Sequence, residues 1–367
     1  MNTPLNLGFA LEYSLGHTTH AQNLKRVLQG RPEIVPTYVD LPYQGMTAPW
    51  TRLPGVRSNW SLRASIGAWL GLRGQAHRLQ GALFHTQVTS LLSAGLMRRV
   101  PSIISLDATP IQYDSMGAFY GHAPNTNERI EELKKRVHQR AFGAARGLVT
   151  WSQWAKDSLA ADYGVPPEKI TVIPPGIDTA RWDFDRSARR PGPVSLLFVG
   201  GDFARKGGDT LLEAFARLPP ALDVHLHIVT KTRGVGEGLP RVSVWQDVQP
   251  NSEPLLRLFG QADLFVFPTR GDCLPLAVME ALSAGLPVVT TTVGALPEAV
   301  THGETGWIVP PDDAGALADA LAALASDPSL RGRLARQARA VGRERFDAAK
   351  NYGRLIETIR TVGTVHA

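Results

Sequence analysis

The stretch from Leu264 to Thr291 limits the fold more than any other part of the chain. Leu264-Phe-Val-Phe267 is a short, wholly apolar run followed by Pro268, the pattern of a strand covered on both faces of a parallel sheet. Gly271 and Asp272 break it. Pro275 stands where the first helical position is expected, because a helix leaves that N–H unused and proline has none. Leu276 to Ala284 then reads as a helix, closed by Gly285 and followed by Pro287. Pro287-Val-Val-Thr-Thr291 is the next strand. Strand, tight loop, helix and strand make the unit of an open α/β sheet, where ligands bind outside the carboxyl ends of the strands.

Glu280 stands out in this helix. It lies four residues from both Leu276 and Ala284, beside Ala277 and Ala281, so it is close to the packed face. A carboxylate there needs hydrogen-bond donors, or its desolvation costs on the order of several kcal/mol. Two adjacent hydroxyls of a ribose would supply them; so would a neighbouring Arg at the helix surface.

With 367 residues the chain suits two domains rather than one core. Its 43% apolar and 20% charged content is that of a globular protein. The single cysteine, Cys273, excludes an internal disulfide framework and fits a reducing compartment. The N-terminus reads as a first strand and not a signal peptide, and no apolar segment approaches the roughly 18 residues of a membrane span. The expected location is therefore cytoplasmic. A formal net charge of +6 points to anionic partners.

In the N-terminal half, Leu5 to Leu11 is a strand, Glu12 to His20 a loop containing Gly16, and a helical pattern runs through Leu28. Gly16 would let backbone approach a ligand closely. His17 and His20 either line that ligand or face solvent. There is no G-x-G-x-x-G, so a dinucleotide site is poorly supported. Pro101 to Pro110 is a strand ending in polar residues, where Asp107 serves either as an acceptor for a sugar hydroxyl or as a loop cap with Thr109. Asn125 to Phe142 is a charged helix whose acids precede its bases, and it reads as a solvated face. Ser152 caps the helix that follows it. Segment 49–73 carries Trp50, Trp60 and Trp69 among Arg52, Arg57, Arg63 and Arg73, with no acid. It reads either as a surface helix on an anionic membrane, peripheral at the inner face, or as a helix docked on its domain with Trp inward.

In the C-terminal half, Val194 to Val199 leads into Gly200-Gly-Asp-Phe-Ala-Arg-Lys-Gly-Gly208 and a helix from Asp209 to Arg217. Glycine backbone, the adjacent cations Arg205 and Lys206 and a helix N-terminus together make a phosphate loop. Asp183-Phe-Asp185 has a metal-binding spacing but lies in the connector, away from any strand end, and is read as accidental; no other metal constellation is present. The Arg-rich stretch from Arg331 to Glu344 has no interleaved aromatic and reads as a solvated basic face, not a nucleic-acid site.

Asp272, seven intervening residues, Glu280 and the phrase Ala281-Leu-Ser-Ala-Gly-Leu-Pro-Val-Val289 resemble the signature of the retaining, nucleotide-sugar-dependent glycosyltransferases of family 4. That family usually has Glu where this chain has Asp272, one methylene shorter. Val293 to Val300, Gly303 to Pro310 and Pro174-Pro-Gly176 add to the resemblance. It implies the α/β GT-B fold, two Rossmann-like domains with parallel sheets facing across a cleft. The expected division is 1–178 together with a returning C-terminal helix, 346–367, and a nucleotide-sugar-binding domain, 179–345. It further implies donor contacts from Gly16, His17, Gly200, Gly201, Arg205, Lys206, Val248, Asp272, Cys273, Leu274 and Glu280. Lys206 matches the family's pyrophosphate-binding Lys. Gly201 stands where an early Arg is usual, so Arg205 would take over that charge. Asp107 stands where the family has a His beside the donor sugar. Asp107, Arg205, Lys206 and Asp272 are thus the catalytic candidates for moving a sugar from a UDP- or GDP-sugar to a glycan or lipid-linked hydroxyl, without a metal or other cofactor. Rival readings are a nucleotide-sugar epimerase or sugar phosphorylase of similar fold, or a non-catalytic nucleotide-sugar-binding protein.

Overall fold

The computed structural model describes residues 4–121, 127–184 and 192–364. The chain divides into two compact units. One comprises Met1–Ser115, Ala123–Gly176 and Ala348–Ala367, the other Met116–His122 and Ile177–Asp347. Asp185, much of the connector, Asn125 and the last three residues lie outside the described residues.

The first unit holds a six-stranded parallel sheet of β1 (Leu5–Tyr13), β2 (Ile34–Pro42), β3 (Gly81–His85), β4 (Ser102–Leu106), β5 (Gly147–Thr150) and β6 (Ile170–Val172), in the order β2-β1-β3-β4-β5-β6. Its central strands are buried along their whole length, as a sheet covered by helices on both faces requires. One face packs Leu72, Met97 and Phe142, the other Leu24, Leu355 and Ile359. The last helix, Ala348–Thr364, supplies part of that second face, and Gly81 makes room for it: a Cβ there would sit 2.6 Å from Ile359 Cγ2.

The second sheet contains β7 (Val194–Val199), β8 (Val224–Val229), β9 (Val242–Trp245), β10 (Leu264–Phe267), β11 (Val288–Thr291) and β12 (Gly306–Val309), in the order β12-β11-β10-β7-β8-β9, again all parallel. Read from β9, strand order runs back to β7 and then outward again from β10, so the direction of winding reverses between β7 and β10. In open α/β sheets such a reversal is where ligands bind, outside the carboxyl ends of the strands.

Several local readings change. The first helix begins at His17, so both His17 and His20 are helical rather than loop residues. Gly16 has an ordinary right-handed conformation, and it is Leu15, at φ 42°, that turns the chain. Pro275 is the N-cap of Leu276–Ser283 instead of its first turn, with an extended ψ of 129°. The Arg-rich helix Pro328–Arg345 is not simply a solvated face. Arg331 donates to the carbonyls of Leu324 and Ala325, Arg345 to that of Glu298, and Arg339 and Arg343 both hold Asp183. Asp183 is therefore an ion-pair acceptor within its own unit.

Candidate functional site

The second unit builds its site from the loops after β7 and β10. Gly207, at φ 74°, ends the first loop, because a Cβ there would fall 1.9 Å from the Pro268 carbonyl oxygen. The helix Gly208–Ala216 starts immediately afterwards, with its free N–H groups at the loop. Gly200 leaves space for Lys206, whose Cβ and Cγ would lie 3.0 Å from an added Cβ. The Lys206 ammonium donates to Oδ2 of Asp272, and burial holds its pKa below the usual lysine range against the pull of that carboxylate. Arg205 is buried and spoken for: Nη1 donates to the Gly271 carbonyl at 2.7 Å and to the Tyr120 hydroxyl at 3.2 Å, and the guanidinium lies 4.4 Å from the Tyr120 ring. It faces Asp272 Oδ2 at 3.7 Å.

Two residues that sequence reasoning missed tie these loops together. Thr269 Oγ1 donates to the Arg205 carbonyl at 3.2 Å. Arg270 reaches the Ala204 carbonyl and Asp209 Oδ1, each at 2.6 Å, and also holds Asp312. Only the strand-end position of Thr269 and Arg270 could have signalled this. A third is Lys231, at the end of β8. Its Cδ lies 3.7 Å from where a Gly201 Cβ would be, so an exposed ammonium stem runs beside the position that lacks the early Arg.

Glu280 is in the second turn of Leu276–Ser283, buried, with no side-chain hydrogen bond or ion pair among the described residues. Burial alone pushes its carboxyl up to about 7. The surface-Arg alternative is thereby removed: nothing in its own unit satisfies this group. Cys273 and Leu274 are buried, and the Cys273 carbonyl accepts from Ala295 N at 2.9 Å. Val248 is half-buried in the loop after β9, between Asp247 at φ 59° and Asn251 at φ 58°.

In the first unit, His17 and Asp107 meet at the carboxyl ends of β1 and β4. His17 Nδ1 is 3.0 Å from His85 Nε2, and its Nε2 is 3.7 Å from Asp107 Oδ2. His20 lies under them, its ring 4.3 Å from that of His85, which stacks on Trp151. Burial holds His20 down to about 3 and His85 well below the usual histidine range, so both are neutral; burial also raises Asp107. Thr109 caps the next helix by accepting from Gln112 N, without Asp107. Trp60 of segment 49–73 donates to Glu12 Oε1 at 3.1 Å. Among the described residues no cluster of His, Cys, Asp and Glu is arranged to hold a metal ion, and no helix is long and apolar enough to cross a membrane.

Residues 16–181 match the description "Glycosyltransferase Family 4", and residues 193–327 match "Glycosyl transferases group 1". The chain is 34% identical over 234 residues to a D-inositol 3-phosphate glycosyltransferase of Pseudarthrobacter chlorophenolicus, covering 58% of this chain and 56% of that one. It spans about half the length of the curated relatives it matches. Two solved structures share the fold. Sucrose-phosphate synthase of Thermosynechococcus elongatus has a TM-score of 0.75 at 17% identity, over 98% of this chain and 99% of that one. HepE of Anabaena, solved with UDP and glucose, has a TM-score of 0.69 at 17% identity, over 96% and 99%. Both are GT-B glycosyltransferases, and the two parallel sheets described above are those of that fold. With one match in each unit, the chain carries a glycosyltransferase family 4 domain and a glycosyl transferases group 1 domain.

Proposed function

We propose that this protein is a retaining glycosyltransferase that moves a sugar from a nucleoside diphosphate sugar to a hydroxyl of a glycan or lipid-linked acceptor. One observation carries the reading: at the strand-order reversal of the second sheet, a phosphate loop bearing Lys206 meets a carboxylate loop, followed at once by the buried, unpartnered Glu280. A ribose diol supplies the two donors that Glu280 lacks. Lys206, beside the N-terminus of Gly208–Ala216, offsets the negative charge growing on the leaving diphosphate, an effect worth roughly 3–4 kcal/mol. In this reading the leaving phosphate takes the acceptor's proton, and no metal is needed. UDP is the favoured donor base, since HepE was solved with UDP.

In the first unit, His17 and Asp107 offer a hydrogen-bond donor and an acceptor for sugar hydroxyls. A lipid-linked acceptor would place the protein peripherally at the inner membrane face. Calorimetry with UDP- and GDP-sugars tests the donor: wild type binds one series, Lys206→Ala and Glu280→Gln bind it more weakly. Unchanged affinity in both variants overturns the assignment. Product analysis with donor alone then separates transfer from epimerisation.

A further inference from the structure

We propose that the first unit docks on an anionic lipid surface through the outer face of the helix Glu128–Ala144, and not through segment 49–73. The inference deepens the reading of a lipid-linked acceptor and rests on it for its purpose, though its geometry stands apart.

The charge of the chain is unevenly placed. The first unit carries 21 Lys and Arg against 12 Asp and Glu, whereas the second carries 18 against 21. All of the positive excess therefore belongs to the first unit. Within it, Ile130, Leu133 and Val137 are 40%, 63% and 37% exposed. Their spacing of three and four residues sets them in one line along the helix. At 100° per residue, the exposed Arg129, Arg136 and Arg140 form a parallel row on one flank, and Lys134 stands on the other. The side that holds the helix in place is turned away from this row: Phe142 is buried and meets Tyr163 edge-on at 5.3 Å, and His138 lies against both rings, while Ala141, one turn beyond Val137, carries the C-terminal end of the row into the core. From Ile130 to Val137 the row thus lies outside the core.

Its borders argue for lipid as the occupant. Long cationic side chains beside an aliphatic row can keep their charges at phosphate level while the row enters the acyl boundary. Glu131 and Glu132 pair with Lys134 and Arg136 at 2.7 and 2.8 Å, so the unengaged attraction rests mainly on the Arg129 and Arg140 ends of the row. Segment 49–73 has spent its rings internally. Trp50, Trp60 and Trp69 are half-buried, Arg73 lies 4.2 Å from the Trp69 ring, and Leu53, 54% exposed, is its one large exposed apolar side chain.

The test is flotation of the full chain with vesicles of phosphatidylcholine alone and of phosphatidylcholine with phosphatidylglycerol. Wild type should bind the anionic vesicles at least about tenfold more tightly, with the difference shrinking in raised salt. Leu133→Gln with Val137→Gln should abolish flotation. Arg129→Gln and Arg140→Gln should each weaken it about fivefold. Leu53→Gln with Arg57→Gln should float like wild type. Melting temperature and donor calorimetry should be unchanged in every variant, which separates this inference from the donor reading. Equal flotation of wild type with both vesicle types, or loss confined to the Leu53/Arg57 variant, overturns it. So does concentration-dependent dimerisation that Leu133→Gln abolishes, which would assign the face to a second copy.

Discussion

The ammonium of Lys206 rests on the carboxylate of Asp272, joining the loop after β7 to the loop after β10 where the second sheet reverses its winding. The cation that meets the diphosphate in the proposed reading is thus paired with a carboxylate of its own unit. A largely buried pair of this kind gains little net stability, because desolvating two charges offsets much of their attraction. It does keep Lys206 in position. In the proposed reading a diphosphate competes with Asp272 for the same ammonium, and Asp272, once released, accepts from sugar hydroxyls.

That competition has a measurable consequence. Asp272→Asn removes the rival carboxylate, so UDP should bind a few-fold more tightly while transfer falls. Lys206→Ala should reduce kcat about 10²–10³-fold, the usual loss of a charge-stabilising donor. Calorimetry with UDP and a radiolabelled transfer assay measure both. Weaker UDP binding in Asp272→Asn would show that the carboxylate helps the diphosphate to bind.

The side-chain stem of Lys231 runs beside Gly201, while Arg205 is committed to Gly271 and Tyr120. Lys231→Ala should therefore raise the donor Kd about two- to fivefold, the scale of an exposed charge, with melting temperature unchanged. Arg205→Ala should act differently, lowering the melting temperature, because it leaves a buried carbonyl without its donor. Thermal melts beside donor titrations distinguish the two. Equal effects of both variants on Kd and melting would end the assignment of charge to Lys231.

Much of this was legible because parallel strands buried on both faces read as apolar runs. Leu264–Phe267 and Val288–Thr291 are such strands, and the breakers between them mark the loop. The charge of Lys206 and the oddness of Glu280 are local signals. What the sequence hid depends on distant pairing. His17 meets His85 across 68 residues, and Arg205 meets Tyr120 across 85. Arginines that cap carbonyls, as Arg331 does, look the same in sequence as solvated ones, since their acceptors are backbone atoms. Gly16 misled for a different reason: its glycine suggested a special turn, yet Leu15 adopts the left-handed conformation.

Glu280 gives a pH dependence of defined sign. Its carboxyl rises from 4.5 to about 7 through burial, so the folded state holds a proton that the unfolded state has lost. The stability from this group is fully present below pH 4.5 and is lost as pH rises to about 7, a change of about 3 kcal/mol. Glu280→Gln should be more stable than wild type at pH 8 and bind donor more weakly. In the proposed reading, where ribose hydroxyls donate to the ionised Glu280, donor binding to wild type should weaken as pH falls below about 7. Denaturant melts and calorimetry at pH 6 and 8 check this; a donor Kd independent of pH would remove the ribose from Glu280.

The first unit should respond to acid in the opposite direction. His20 is buried beneath His85, and its Nδ1 lies 3.2 Å from the Tyr352 hydroxyl. Burial, with repulsion from His17 second, takes its pKa from 6.5 to about 3. For a base held neutral, the unfolded chain binds the extra proton, so stability is intact above pH 6.5 and falls as pH drops toward about 3. By pH 5 the loss from His20 alone should be about 2 kcal/mol. His20→Gln keeps a polar group that can bond to the Tyr352 hydroxyl but cannot take up a proton, so it should flatten this acid limb at some cost to stability at pH 7. Urea melts followed by tryptophan fluorescence at pH 7 and 5 measure the difference, since Trp151 lies 5.1 Å from the His20 ring. If wild type and His20→Gln lost the same stability between those pH values, the acid sensitivity would have to come from groups other than this buried imidazole.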